Sequence, residues 1–260
     1  MRKIHPILAS VMILSAAFCA SSQKRINQKS DKGAQNQYDK AVIAMKYGLA
    51  DQALVYVNEA LSLNPRHYQA LHLLGMIKLE KRNFTEAVGA FEKCLEVKPD
   101  FAEARAYLGT AFQEMGDKRR AETEYLKSFS ADGNAYSAFY LAKLKFEQKQ
   151  LEPALDFIEK SIQNSGKQAT AAAYNVKGVI LNEMARYPEA VSTFEKASSL
   201  NPADAQMSIN LGIAYANDKQ TDKACAIFEK TLPLIKDPAL KGKIEGYLKM
   251  LREASGQTKP

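Results

Sequence analysis

YQALHLLGMIKLEKRNFTEAVGAFEKCLEVKPDF, the stretch from Tyr68 to Phe101, decides the fold. Counting Tyr68 as position 1, Leu74, Gly75, Ala87, Phe91 and Pro99 stand at positions 7, 8, 20, 24 and 32. Apolar residues three and four apart describe two amphipathic helices joined by a turn, with small residues where helices cross and large ones where they interlock. Neither helix can bury its apolar stripe alone. Copies must stack to build a continuous core, which implies an extended array rather than a globule around one cleft.

The same pattern starts again near Ala34, Ala102, Ala135, Ala171 and Ala205, so six copies run in phase. Position 8 is Gly75, Gly109, Gly178 and Gly212, with Ala41 and Ala142 in the first and fourth copies. A mid-helix glycine costs about 0.5–1 kcal/mol relative to alanine, so its reuse implies a close approach by a neighbouring helix. Position 20 is alanine throughout, and position 24 is large: Val57, Phe91, Tyr125, Ile158, Phe194 and Phe228. Pro65, Pro99 and Pro202 at position 32 close second helices and set the turn into the next copy. Gly133 and Gly166 replace that proline in the third and fourth copies, and Pro233 falls within the last turns of the sixth second helix, which it is expected to kink or fray.

These residues resemble the tetratricopeptide repeat pattern of period 34, over residues 34 to about 236. The resemblance implies an all-α fold, a right-handed α-solenoid of six helix-turn-helix repeats plus a C-terminal capping helix. It also implies a concave groove lined by the first helix of each repeat, chiefly through positions 2, 5, 9 and 12. Transferred residue by residue, the partner-binding candidates are Tyr38, His72, Met76, Thr110, Gln113, Phe139, Lys143, Asn175, Val179, Asn182, Ile209 and Ile213. The lining is mixed apolar and polar with Lys143 as its one cation. It does not resemble the basic clamp by which co-chaperones of this family hold an acidic tail, and it fits a protein or peptide segment with apolar anchors.

Outside the repeats, residues 1–22 carry a short basic start, an apolar run from Ile7 to Phe18, and small residues after it, the anatomy of an export signal. The run ending in Cys19 is similar to a bacterial lipoprotein leader, in which the cysteine is lipidated, although Phe18 stands where that motif has a small residue. Residues 23–33 are polar and basic and read as a flexible tether. Asp237 and Pro238 read as the start of a helix over 238–254 with Leu240, Ile244, Leu248 and Leu251 on one stripe, a cap for the last repeat. Residues 255–260 read as a disordered tail.

Charge argues against nucleic acid. The net charge is +7, but residues 1–32 alone hold six cations against Asp31, leaving +2 for the remaining 228 residues, too little to neutralise many phosphates. Cys94 and Cys225 sit at packing positions in separate repeats, so no disulfide framework is implied. The three histidines read as surface residues without metal-ligand spacing, no glycine-rich phosphate loop appears, and neither a catalytic site, a metal nor a cofactor is implied.

Function is therefore expected to come from a surface. An export leader with a candidate lipid cysteine, a tether and six repeats is similar in layout to the pilotin lipoproteins of type IV pilus machines. That resemblance implies an exported, periplasmic or membrane-anchored scaffold with a secretin or pilus component as partner. The alternative is an envelope adaptor for peptidoglycan hydrolases or synthases, as other exported tetratricopeptide lipoproteins are.

Overall fold

The structure, a computed structural model, describes residues 28–254. The leader with Cys19, residues 23–27 of the tether and the 255–260 tail lie outside the described residues. Two compact units divide the chain, one up to Ala121 and one from Glu122. The first holds α1 (28–46), α2 (Ala50–Leu63), α3 (Tyr68–Glu80), α4 (Phe84–Val97), α5 (Ala102–Glu114) and the start of α6 (Lys118–Asp132). The second holds the rest of α6, then α7 (Ala135–Glu147), α8 (Leu151–Ser165), α9 (Ala171–Glu183), α10 (Tyr187–Leu200), α11 (Ala205–Asn217), α12 (Thr221–Thr231) and α13 (Pro238–Ala254). The fold is all-α, a solenoid-type stack of helix pairs, with no strand among the described residues.

One expectation fails at the start. Residues 28–33 are not tether but the first turns of α1. They lack apolar periodicity because polar contacts hold them: Ser30 Oγ donates to the Leu63 carbonyl, and Asn64 Nδ2 donates to Asp31 Oδ1 at 2.8 Å. Ala34, fully buried, then starts the apolar stripe.

Four first helices, α3, α7, α9 and α11, begin with side-chain caps, whereas α5 follows Phe101 and has none. His67 Nδ1, Asn134 Oδ1, Thr170 Oγ1 and Asp204 Oδ1 accept from the backbone N–H three residues on, at 3.2, 2.9, 3.3 and 3.1 Å. First helices end in one motif, repeated at the same position. Residues 48, 82, 116, 149, 185 and 219 all have positive φ, although only two of them, Gly48 and Gly116, are glycine. In the second repeat Arg82 N–H donates to the Leu79 carbonyl and Asn83 N–H to that of Lys78, at 2.9 and 2.8 Å, closing the helix with a Schellman turn.

The small and large positions are two halves of one contact. A Cβ on Gly178 would lie 2.7 Å from Phe194 Cε1, and one on Gly212 would lie 2.5 Å from Phe228 Cε1; Gly75 is covered in the same way by Phe91. The ring at position 24 thus lies flat on the backbone of its own repeat's first helix. Where position 8 is alanine, the fully buried partner position shrinks to Val57 or Ile158.

At its far end the second unit departs from regular helix where Pro233 was expected to disturb it. The α12 helix stops at Thr231 and Leu232–Leu234 form a 3-10 turn. Asp237 Oδ1 then accepts from Ala239 N–H at 2.9 Å at the head of α13. The α13 helix buries Ile244 and Leu248, sets Tyr247 edge-on to Phe228 at 5.7 Å, and pairs Arg252 with Glu229.

Candidate functional site

In the first unit, three successive first helices and the head of α4 line a groove of about 380 Å³: Met45 of α1, Met76, Leu79 and Glu80 of α3, Arg82 and Phe84 beyond it, and Tyr107, Thr110 and Glu114 of α5. Met76 and Thr110 are sequence-derived candidates, and the fold brings them together. Gln113 lies one residue before Glu114, half-buried. Tyr38 is half-buried on α1, its ring 5.3 Å from that of His67, and burial raises its hydroxyl pKa above the usual value. Met45 and Leu79 hold position 12, one of the positions expected to line a groove. Tyr107, at position 6, and Phe84, the ring opening the second helix, were not among the candidates.

His72 does not face a groove. It is buried, with the rings of Phe101, Tyr107 and Phe91 at 5.1, 5.4 and 5.8 Å, and burial pushes its imidazole pKa down to about 4. Phe91 and Phe101 of its own repeat and Tyr107 of the next close over position 5, which removes His72 from partner contact. His67 is buried as well, with Nδ1 committed to the α3 cap and Nε2 3.2 Å from Gln35 Oε1. Neither histidine is the surface residue expected from sequence.

In the second unit, Phe139 of α7 borders a pocket of about 310 Å³ with Tyr136 and Tyr140, floored by the small residues Ala135, Ser161, Ser165, Ala172 and Ala173, with Thr170 at its edge. Lys143 Nζ lies 5.8 and 5.6 Å from the ring centroids of Phe139 and Tyr140, so this cation is already engaged with aromatic faces. Asn175 and Asn182 form a pair of rungs with the next first helix: Asn210 Nδ2 donates to Asn175 Oδ1 at 2.9 Å, and Asn217 Nδ2 to Asn182 Oδ1 at 2.8 Å. Val179 and Ile213 are half-buried against the core of this unit. Ile209 is 3% exposed within that core, so it is a packing residue and not a contact residue.

Nothing in these surfaces is arranged for covalent chemistry. Cys94 is fully buried, its Sγ donating to the Tyr68 carbonyl at 3.2 Å, and burial pushes its thiol up to about 12, which keeps it unreactive. Cys225 is buried too. Among the described residues no cluster of three or more His, Cys, Asp or Glu could hold a metal ion, and no helix is long and apolar enough to cross a membrane.

Two family models match the chain. The cilia and flagella-associated protein 70 middle TPR-like domain covers residues 19–131, and the tetratricopeptide repeat model covers residues 170–239. The repeats are tetratricopeptide repeats. Among curated relatives, the type IV pilus assembly protein PilF of Pseudomonas aeruginosa is 28% identical over 134 residues, 49% of this chain and 51% of its own. The chain spans about half, or less, of the length of the curated relatives it matches. A solved structure of Pseudomonas aeruginosa PilF superposes with a TM-score of 0.63 at 22% identity, covering 72% of this chain and 84% of that one. PilW, described as a widely conserved type IV pilus biogenesis factor, superposes with a TM-score of 0.66 at 16% identity, covering 78% and 95%. These likenesses fix the fold, a stack of tetratricopeptide-type helix pairs.

Proposed function

We propose that this tetratricopeptide chain is a non-catalytic scaffold, exported across the inner membrane, that binds a partner segment on the inner faces of its first helices and assists type IV pilus or secretin assembly. The observation that carries the reading is the 28% identity over 134 residues to PilF, a type IV pilus assembly protein. The inner faces support it physically. Met76 and Thr110 border an apolar groove, and Phe139 borders a second pocket with two tyrosines, surfaces suited to apolar anchors of a peptide. A lipid on Cys19 would hold such a scaffold at the envelope.

Partner capture from an envelope extract, quantified by mass spectrometry, tests the reading. A secretin or pilus component should be recovered with the wild type and fall about tenfold with Phe139→Ala and Asn175→Ala combined, as for loss of a central anchor. Equal recovery both with this variant and with Met76→Ser would remove the inner face as the binding surface. Recovery of peptidoglycan hydrolases or synthases instead would favour the envelope-adaptor alternative. Labelled palmitate should enter the wild type and not Cys19→Ala; an unlabelled wild type would end the lipoprotein reading.

A further inference from the structure

The groove of the first unit has an electrostatic sign as well as an apolar floor. Glu80 and Glu114 both line it, and each is the last residue of a first helix, α3 and α5, where the helix dipole adds partial negative charge. Neither carboxylate has an ion-pair partner among the described residues. Of the cations nearby, two are paired with other carboxylates and the third, Arg82, lines the groove on its Phe84 side, which leaves the two carboxylates in excess. Lys81 pairs with Asp51, Lys78 with Glu86 at 2.6 Å, and the Arg82 guanidinium lies over the Phe84 ring at 5.4 Å. Lys46, the equivalent position of α1, does not line the groove. Between the carboxylates and Phe84 the floor is Met45, Met76, Leu79 and Tyr107, two of them unbranched thioethers that adapt to side chains of different shape.

From this charge complementarity we propose that the first-unit groove takes a partner segment in which a large apolar side chain is followed within a few residues by Lys or Arg. The apolar side chain seats against Met45, Met76, Leu79 and Tyr107. The cation meets Glu80 and Glu114 at the rim, and the partner is a basic, apolar peptide rather than an acidic one. This rests on the inner-face reading above and narrows it to one unit and one ligand chemistry.

Selection of a phage-displayed random dodecapeptide library on the full chain tests it, with enriched peptides re-synthesised and measured by fluorescence anisotropy. Enriched sequences should pair a large apolar residue with Lys or Arg. Their affinity should fall about three- to tenfold in Glu80→Gln combined with Glu114→Gln, exposed positions where the fold is not at stake, and should weaken with salt. The preference should reverse toward acidic peptides in Glu80→Lys combined with Glu114→Lys, while Glu92→Gln on the outer helix α4 leaves it unchanged. Peptides that bind through Met76, as shown by loss in Met76→Ser, yet carry no charge preference would overturn this inference and leave the inner-face reading standing. The absence of any peptide that depends on the groove or on Phe139 would overturn both. So would a dimer in light scattering that Met76→Ser dissociates, since the groove would then hold a second copy.

Discussion

At the scale of single residues, position 8 and position 24 act as one packing unit, and the sequence showed only half of that. The reuse of glycine was legible as a close approach. What approaches is the aromatic ring of the same repeat, because the ring lies flat on the helix backbone where a Cβ would stand. Gly178→Ala should therefore destabilise by about 1–3 kcal/mol despite alanine's better helix propensity. Phe194→Ile, which copies the alanine-bearing fourth repeat, should restore much of it, and a double-mutant cycle in urea would show coupling of about 1 kcal/mol or more. Additive effects would mean the two positions do not touch. His72 shows the limit of register. Helical phase gives its position on the first helix, but the size of Phe101 at the end of its own repeat and of Tyr107 in the next decides whether that position is open or sealed. Its folded pKa of about 4 lies below the unfolded value near 6.5, so its contribution is complete above that value and lost as pH falls toward 4. Hydrogen exchange of α3 amides should report a loss of about 3 kcal/mol between pH 7 and pH 4, larger in the wild type than in His72→Phe. A residual slope is expected from His67, whose pKa is also lowered by burial and whose protonation would remove the α3 cap, and from Asp51 and Asp117, whose pKa values are lowered by hydrogen bonds from Lys81 and Arg120.

At the scale of elements, every first helix ends with a left-handed residue at the same repeat position, and four of the six are Arg82, Lys149, Ala185 and Lys219. Glycine alone would have flagged the turn. With Gly48 and Gly116 the only instances, the motif was hidden among ordinary loop residues, although the Schellman hydrogen bonds are complete in each case. Backbone geometry, not composition, sets this position. Lys219→Gly should relieve an αL strain and stabilise by about 0.5–1 kcal/mol, with Lys149→Gly and Ala185→Gly adding to it, whereas Gly116→Ala should cost a similar amount. A thermal melt in which Lys219→Gly lowers the midpoint would show that the turn is held by side-chain contacts instead. The start of α1 was illegible for a related reason. Its first turns are fixed by Ser30 and Asp31 to the end of α2, and polar capping contacts leave no periodic trace.

At the scale of the molecule, helix content, the repeat phase and the position 20 and 24 side chains were legible because stacking repeats each contact six times. The partner surface was less so, since it depends on which side chains neighbours leave open. That short-range logic also governs stability. In a stack whose helices meet mainly their neighbours, damage stays local, and α13 packs against α12 in the second unit. It buries Ile244 and Leu248 and covers Phe228 with Tyr247. Its outward positions Lys241, Lys243, Glu245, Lys249 and Glu253 are exposed. Leu248→Ala should cost about 2–5 kcal/mol in the second unit. The loss should appear as faster hydrogen exchange in α12 and α13 first and α11 next, with α2 to α4 protected as in the wild type, because Leu248 belongs to the core of the second unit. Uniform loss of protection across both units would show that the chain unfolds as one cooperative body, and the additive account of its stability would then be wrong.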